Sequence, residues 1–196
     1  MTVLSLNTKQ KYGTLLAGNP AGGNSSYWLI SRTTVDSAGA SSVTFSSIPS
    51  TYTHLQIRAI VRTGRTGQNG DFLKTTFNSD TATNYSWHLM TGDGASTGVA
   101  SGSSVAYMEA DRFASNSTGS NIFGATVLDI LDYKDTNKYK TIRWIGGYDN
   151  NGSGEIQFGS GNWRSTSAVT SITLTQSGSY NILQYSSFAL YGIKGA

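Results

Sequence analysis

Imidazole chemistry in this chain rests on two residues, His54 and His88, and thiol chemistry on none, because the sequence holds no cysteine. Disulfides, thiolate metal ligands and a cysteine nucleophile are thereby excluded. A serine nucleophile needs a base and an orienting acid beside it. His54 falls on the outward side of an alternating run, beside Arg58, and His88 lies opposite in parity to Trp87. No Gly-x-Ser-x-Gly elbow of the strand-to-helix kind accompanies either one. Both read as ordinary strand histidines. The eleven carboxylates are nine Asp and two Glu, and glycosidase chemistry would need two of them facing one another across a cleft. Glu109 and Asp111 share a face if their stretch is extended, but a solvated rim has the same spacing. These residues predict no catalytic group, no enzyme and no cofactor.

Two further groups bear on binding. Asp149, Asn151 and Ser153 set oxygen atoms at alternate positions, with Gly154 sixth, as in the front half of a calcium loop. Ser160 stands where the bidentate Glu belongs, and the flanks read as strands, so a hairpin turn on Asn151-Gly152 accounts for the same residues. The second group is aromatic. Trp87, Tyr107, Trp144, Tyr148, Trp163 and Tyr180 are candidates for a sugar platform or a subunit interface, with core packing as the competing reading. The glycines lack the Lys-Ser/Thr partner of a phosphate loop.

The elements that must position these side chains are strands. Gly, Ser, Thr and Asn make up 88 of 196 residues, a composition that disfavours helices. Aromatics at 11% argue against a disordered tract. Leu55, Ile57, Ala59 and Val61 alternate with His54, Gln56, Arg58 and Arg62, which is the cleanest strand pattern in the chain. Similar runs recur every 8–15 residues, including 72–78, 84–90, 121–133, 139–148, 155–161, 168–175 and 182–193, while 91–104 and 114–121 read as long loops. The expectation is an all-β, antiparallel β-sandwich of jelly-roll type with about ten strands. Several runs are apolar on both parities, so one face is expected to meet something other than the core.

Residues 1–24 differ, with a Gly-Gly pair, one of the two prolines and weak alternation. They read as an N-terminal arm before a domain spanning 25–196, with Tyr12, Leu15 and Leu16 as anchors on a neighbour. The net charge of +3 is spread over scattered basic residues, which argues against nucleic acid as a partner. No window approaches the roughly 18 apolar residues of a membrane helix, and the run Leu15-Leu16-Ala17 is too short for a signal peptide.

Two stretches carry a resemblance. Phe45, Ile48, Pro49, Tyr52 and Leu55 form a Phe-x-x-Ile-Pro-x-x-Tyr-x-x-Leu pattern, followed by Phe77, Asn78 and Tyr85. The carboxyl end supplies Phe188, Leu190, Tyr191, Gly192 and Ile193. Together they resemble a small β-sandwich domain widespread among virion proteins of tailed bacteriophages, over about residues 25–195. The resemblance implies a non-enzymatic structural protein of the virion, assembled in the host cytoplasm. A capsid cement or decoration protein leads, and a tail-fibre or baseplate module recognising host carbohydrate is the alternative. The implied partners are other virion proteins, either the major capsid or a tail protein, and further copies of the chain, with a trimer favoured.

Overall fold

The computed structural model describes residues 26–195, which form twelve strands and no helix among them. The strands are β1 (Tyr27–Thr34), β2 (Ser42–Phe45), β3 (His54–Val61), β4 (Gly70–Phe77), β5 (Tyr85–Gly92) and β6 (Thr97–Val105). They continue with β7 (Met108–Ala114), β8 (Gly124–Leu131), β9 (Lys140–Asp149), β10 (Gly154–Trp163), β11 (Ile172–Gln176) and β12 (Ser187–Ile193). All ladders between these strands are antiparallel, in an eight-stranded sheet of order β1-β12-β3-β8-β9-β10-β5-β6 and a four-stranded sheet of order β2-β11-β4-β7. The expected antiparallel sandwich is what the chain forms.

The jelly-roll plan is visible in the pairing. β1 pairs with β12, β2 with β11, β3 with β8 and β4 with β7, as in one long hairpin rolled so that successive strands alternate between two sheets. Two hairpins, β5–β6 and β9–β10, are inserted into that plan, and both extend the larger sheet beyond β8. The two strands beyond the expected ten are β6 and β7. β7, the last strand of the smaller sheet, packs over β8, β9 and β10. β5 and β6 therefore project as an overhang whose inner face is only partly roofed.

The core follows strand parity. Leu55, Ile57, Ala59 and Val61 face inward as expected, against Phe77, Phe113, Ile130, Ile142, Ile172 and Phe188. Leu55→Ala or Ile57→Ala is expected to cost about 2–4 kcal/mol in urea unfolding, the range for emptying a buried aliphatic site. The same change at exposed Arg58, which bonds Gln56 and lies 5.8 Å from the Tyr27 and Tyr191 rings, should cost less, about 1 kcal/mol.

The residues that carry the resemblance hold the fold. Tyr52 packs where a Cβ on Gly192 would stand, 2.3 Å from its ring. Asn78 and Ser79 have φ of 51° and 56°, a type I′ turn closing β4. The Asn78 side chain accepts the N–H groups of Thr170 and Ser171 and donates to Ala168 O, tying that turn to the start of β11. The Tyr85 hydroxyl accepts from Phe77 N at 3.0 Å and donates to Asp80 O at 3.0 Å.

Two sequence expectations change. The stretch 91–104 is the end of β5, a short turn and β6 rather than a loop. β6 is an edge strand of Gly, Ala, Ser and Thr with only Val99 and Val105 as larger apolar residues, held by its main-chain ladder to β5 and so without regular apolar alternation. Residues 108–114 form β7, interrupted by a bulge between Phe72 and Leu73 of its partner strand. Asp111, at φ 63°, is the extra residue. Glu109 and Asp111 consequently do not share a face. Among the described residues no helix is long and apolar enough to cross a membrane.

Candidate functional site

Two surfaces are unlike the rest. The first is the outer face of the eight-stranded sheet. Register places Val99 opposite Met90, Met90 opposite Phe158, Phe158 opposite Ile145 and Ile145 opposite Val127. Partners in an antiparallel ladder project on the same side, so these side chains form one apolar row crossing five strands. Val99 is 85% exposed, and Met90, Phe158 and Ile145 are each exposed by about half. Exposed Ile156 and Ile60 widen the face on one side. On the other side runs a polar row of Ser101, His88, Ser160, Arg143, Asp129 and Gln56. Three of its members are joined, Arg143 lying 3.6 Å from Asp129 and Gln56 Nε2 donating to Asp129 at 2.8 Å, and Arg58, opposite Val127 at the end of the apolar row, donates its Nε–H to Gln56 at 2.9 Å. Scattered apolar side chains are ordinary on a protein surface, but an ordered row is not.

The second surface is a cleft of about 200 Å³ where the edge strand β7 meets the inner face of the overhang. Glu109 and Arg112 reach it from β7, Phe72 from β4, Trp87 and Leu89 from β5, and Glu155 and Gln157 from β10. Arg112 Nη1 donates to Glu155 Oε2 at 2.7 Å, and its guanidinium stands 5.1 Å from the centre of the Phe72 ring. Burial pushes Glu109 above the usual carboxylate range, against the pull of Lys74 and Arg112. Trp144 Nε1 donates to Gln157 Oε1 at 3.2 Å, which fixes the Gln157 amide so that its NH2 points elsewhere.

Beside the cleft, Asp111 is buried, with only 1% exposure. Gly146 of β9 lies above it, and a Cβ there would stand 1.7 Å from Asp111 Oδ2, so no other residue fits. Burial pushes the Asp111 carboxyl up to about 7, and nearby Glu155 adds to the rise, although hydrogen bonds from Thr126 and the Arg112 N–H oppose it.

No protein-family model, no curated protein and no solved structure matches this chain.

The predicted binding residues divide. Of the six aromatics, only Trp87 lines the cleft. Trp144 and Trp163 are not surface rings: both are 2% exposed, because their parity on β9 and β10 faces the space between the sheets. Trp163 stacks on Tyr85 at 6.3 Å and donates to Asp80 Oδ2 at 2.7 Å. Tyr107 lies under the Lys74 ammonium at 4.5 Å, Tyr148 is half-buried and Tyr180 is exposed. They do not converge.

Asp149, Asn151 and Ser153 belong to the β9–β10 hairpin. Positive φ at Asn151 and Gly152 makes a type I′ turn, and Asp149 Oδ1 accepts the Asn151 N–H at 2.8 Å. Tyr12, Leu15 and Leu16 lie outside the described residues. His54 Nδ1 accepts the Asp132 N–H at 2.9 Å, and His88 stands in the polar row. Gly94-Ala95-Ser96-Thr97-Gly98 matches the letters of a nucleophile elbow but turns β5 into β6, with Ser96 Oγ donating to Asp93.

The sequence offers Glu109 and Glu155 as its two Glu candidates, and both line the cleft, but it gives no sign of Arg112 and Gln157 as their companions. Inward parity on β10 was the only available signal for Gln157.

Proposed function

We propose that this chain is a non-enzymatic structural protein of a bacteriophage particle, a cement or decoration protein that lies on the shell through the outer face of its larger sheet. The apolar row Val99-Met90-Phe158-Ile145-Val127, with its hydrogen-bonded polar border, is the observation that carries this reading. An apolar centre with a polar rim is the make-up of a protein–protein contact, and a broad sheet matches a broad shell. The resemblance to tailed-phage virion domains supplies the partner class, the major capsid or a tail protein. Residues 1–24 act as the arm in this reading, and self-association as a trimer brings several faces to one particle.

The reading is tested by sedimenting undecorated shells of the phage that encodes the chain with the full-length protein and with a form lacking residues 1–20. The full-length protein is expected to pellet with the shells and raise the temperature at which they rupture. A protein that stays in the supernatant and leaves that temperature unchanged contradicts the reading. A second reading, a tail-fibre or baseplate module that recognises host carbohydrate, is favoured by one observation, the cleft lined by Trp87.

A further inference from the structure

The two sheets end in four edge strands, β1 and β6 on the larger and β2 and β7 on the smaller. An edge strand leaves a row of main-chain N–H and C=O groups unpaired, a template for another strand, and folded proteins blunt it with bulges, charges, proline or brevity. Three of the four edges are blunted here. β1 is bulged between Leu29 and Ser31 and carries Arg32. β2 has four residues, and β7 is bulged at Asp111 and carries Glu109 and Arg112. β6 is not blunted. From Gly94 to Met108 the chain holds no charged residue and no proline, and Thr97 to Ser103 run beside β5 without a shift in register.

Register identifies the free groups. The Asp93 N–H donates to Ser96 O, so that pair is hydrogen-bonded, and alternation along the ladder makes Gly98, Ala100 and Gly102 the residues that bond to β5. The N–H and C=O groups of Thr97, Val99, Ser101 and Ser103 point away from β5, where no strand stands among the described residues. All four residues are exposed, and Val99, at 85%, is the most exposed of the large apolar side chains described. β6 also projects beyond β7, so another strand reaches its edge without meeting the smaller sheet.

We infer that β6 pairs antiparallel with β6 of a second copy of this chain, about a two-fold axis at Ala100. That register sets Thr97 opposite Ser103 of the second copy and Val99 opposite its Ser101. It engages every free residue of both edges, with about eight main-chain hydrogen bonds, two for each pair, and any other register leaves some of them unused. The occupant is a second copy because the free residues are symmetric about Ala100, as a two-fold contact requires, and because an edge without charge meets its own copy without repulsion. The two Val99 side chains become diagonal neighbours across the axis, roughly 7–8 Å apart, which covers them and joins the two apolar rows. The contact lies on an edge and joins copies two by two, so it is independent of the docking face and of the trimer contact proposed above.

Light-scattering mass of the full-length protein tests this, at about 0.1 mM against an expected Kd on the order of 10 μM. Wild type should have nearly twice the mass of Ser101→Pro, whose ring removes an outward N–H, and of Val99→Lys, which sets like charges beside the axis. Neither residue bonds to β5 through its main chain, so both variants should unfold cooperatively within a few degrees of wild type. The chain has no cysteine, so a single introduced one reports the register. Ala100→Cys should form a disulfide dimer on oxidation with diamide, because the two copies of that position face each other in a non-hydrogen-bonded pair with Cα atoms about 4.5 Å apart. Thr97→Cys, about six residues along the strand from its own copy, roughly 20 Å, should not. Equal mass for wild type and both variants overturns the inference. An Ala100→Cys chain that stays unlinked while wild type is doubled gives the edge to another segment and overturns it too. So does Thr97→Cys linking as readily as Ala100→Cys, the mark of parallel or random contact.

Discussion

Trp144→Ala is expected to lower the stability of the domain by about 3–5 kcal/mol, the cost of emptying a buried aromatic site. In a domain of this size that is a fall of roughly 6–20 °C in Tm. The ring sits on β9 at 2% exposure, and its N–H is the partner of Gln157 Oε1. Gly159 is its cross-strand neighbour on β10, and a Cβ there would stand 2.1 Å from Trp144 Cζ2, so glycine and indole fill one volume together. Alanine leaves a cavity and an unpaired amide oxygen, two penalties that add. Urea unfolding of wild type, Trp144→Ala and Gly159→Ala measures this. Gly159→Ala should also destabilise, because its methyl and the ring cannot coexist. A loss below about 1 kcal/mol for Trp144→Ala would place the ring outside the core and undo the parity of β9.

The second large effect depends on pH. Asp111 titrates at about 7 in the folded chain against an ordinary value of 3.8. Between those values the native state holds a proton that the unfolded state has released, so stability is greatest below about pH 4 and falls as pH rises through 7. A shift of about three units corresponds to about 4 kcal/mol over that window. Asp111→Asn mimics the neutral acid and keeps an acceptor for the Arg112 N–H, and Asn tolerates the φ of 63° as Asp does. Other groups titrate over the same range, so the informative quantity is the difference between variant and wild type. Equal stabilities at pH 4 and a clear advantage for Asp111→Asn at pH 8 are expected in urea midpoints. Parallel pH profiles would mean that the carboxyl is solvated and that the close approach of Gly146 has another cause.

The fold was readable where side chains alternate and unreadable where the main chain carries the structure. β3 announces itself through Leu55, Ile57, Ala59 and Val61, and these face the core. β6 does not, because an edge strand made mostly of Gly, Ser and Ala, with Val99 and Val105 six residues apart, is defined by its ladder to β5 and buries little. Bulges defeat parity in a second way. The irregularity between Leu29 and Ser31 sets Arg32 opposite Ala189, on the same side as Leu29, although strict alternation groups it with Trp28 and Ile30. The bulge at Asp111 likewise separates Glu109 from a carboxyl two residues away. The nested jelly-roll pairing follows from turn spacing only in outline, since the inserted hairpins look like any other pair of strands.

The candidate surfaces were legible to different degrees for the same reason. Doubly apolar strands pointed to an outer face in need of a partner, and Ile145 and Phe158 stand on it. Which strands lie side by side there is a matter of register, which brings Val99 and Val127 into one row across a span of sequence that no local pattern links. The cleft depends on β7 meeting β10, which joins Arg112 to Glu155. Nothing near either residue signals the other.

In the proposed role the outer sheet face docks the chain onto a particle, and one double variant tests this. Met90→Glu with Phe158→Lys replaces a cross-strand apolar pair by an oppositely charged one. The two charges face each other on an exposed surface, so stability should change by no more than about 0.5 kcal/mol. In co-sedimentation with undecorated shells, wild type is expected in the pellet and the double variant in the supernatant, at equal Tm. A double variant that pellets as completely as wild type would contradict the claim and move the contact away from this face.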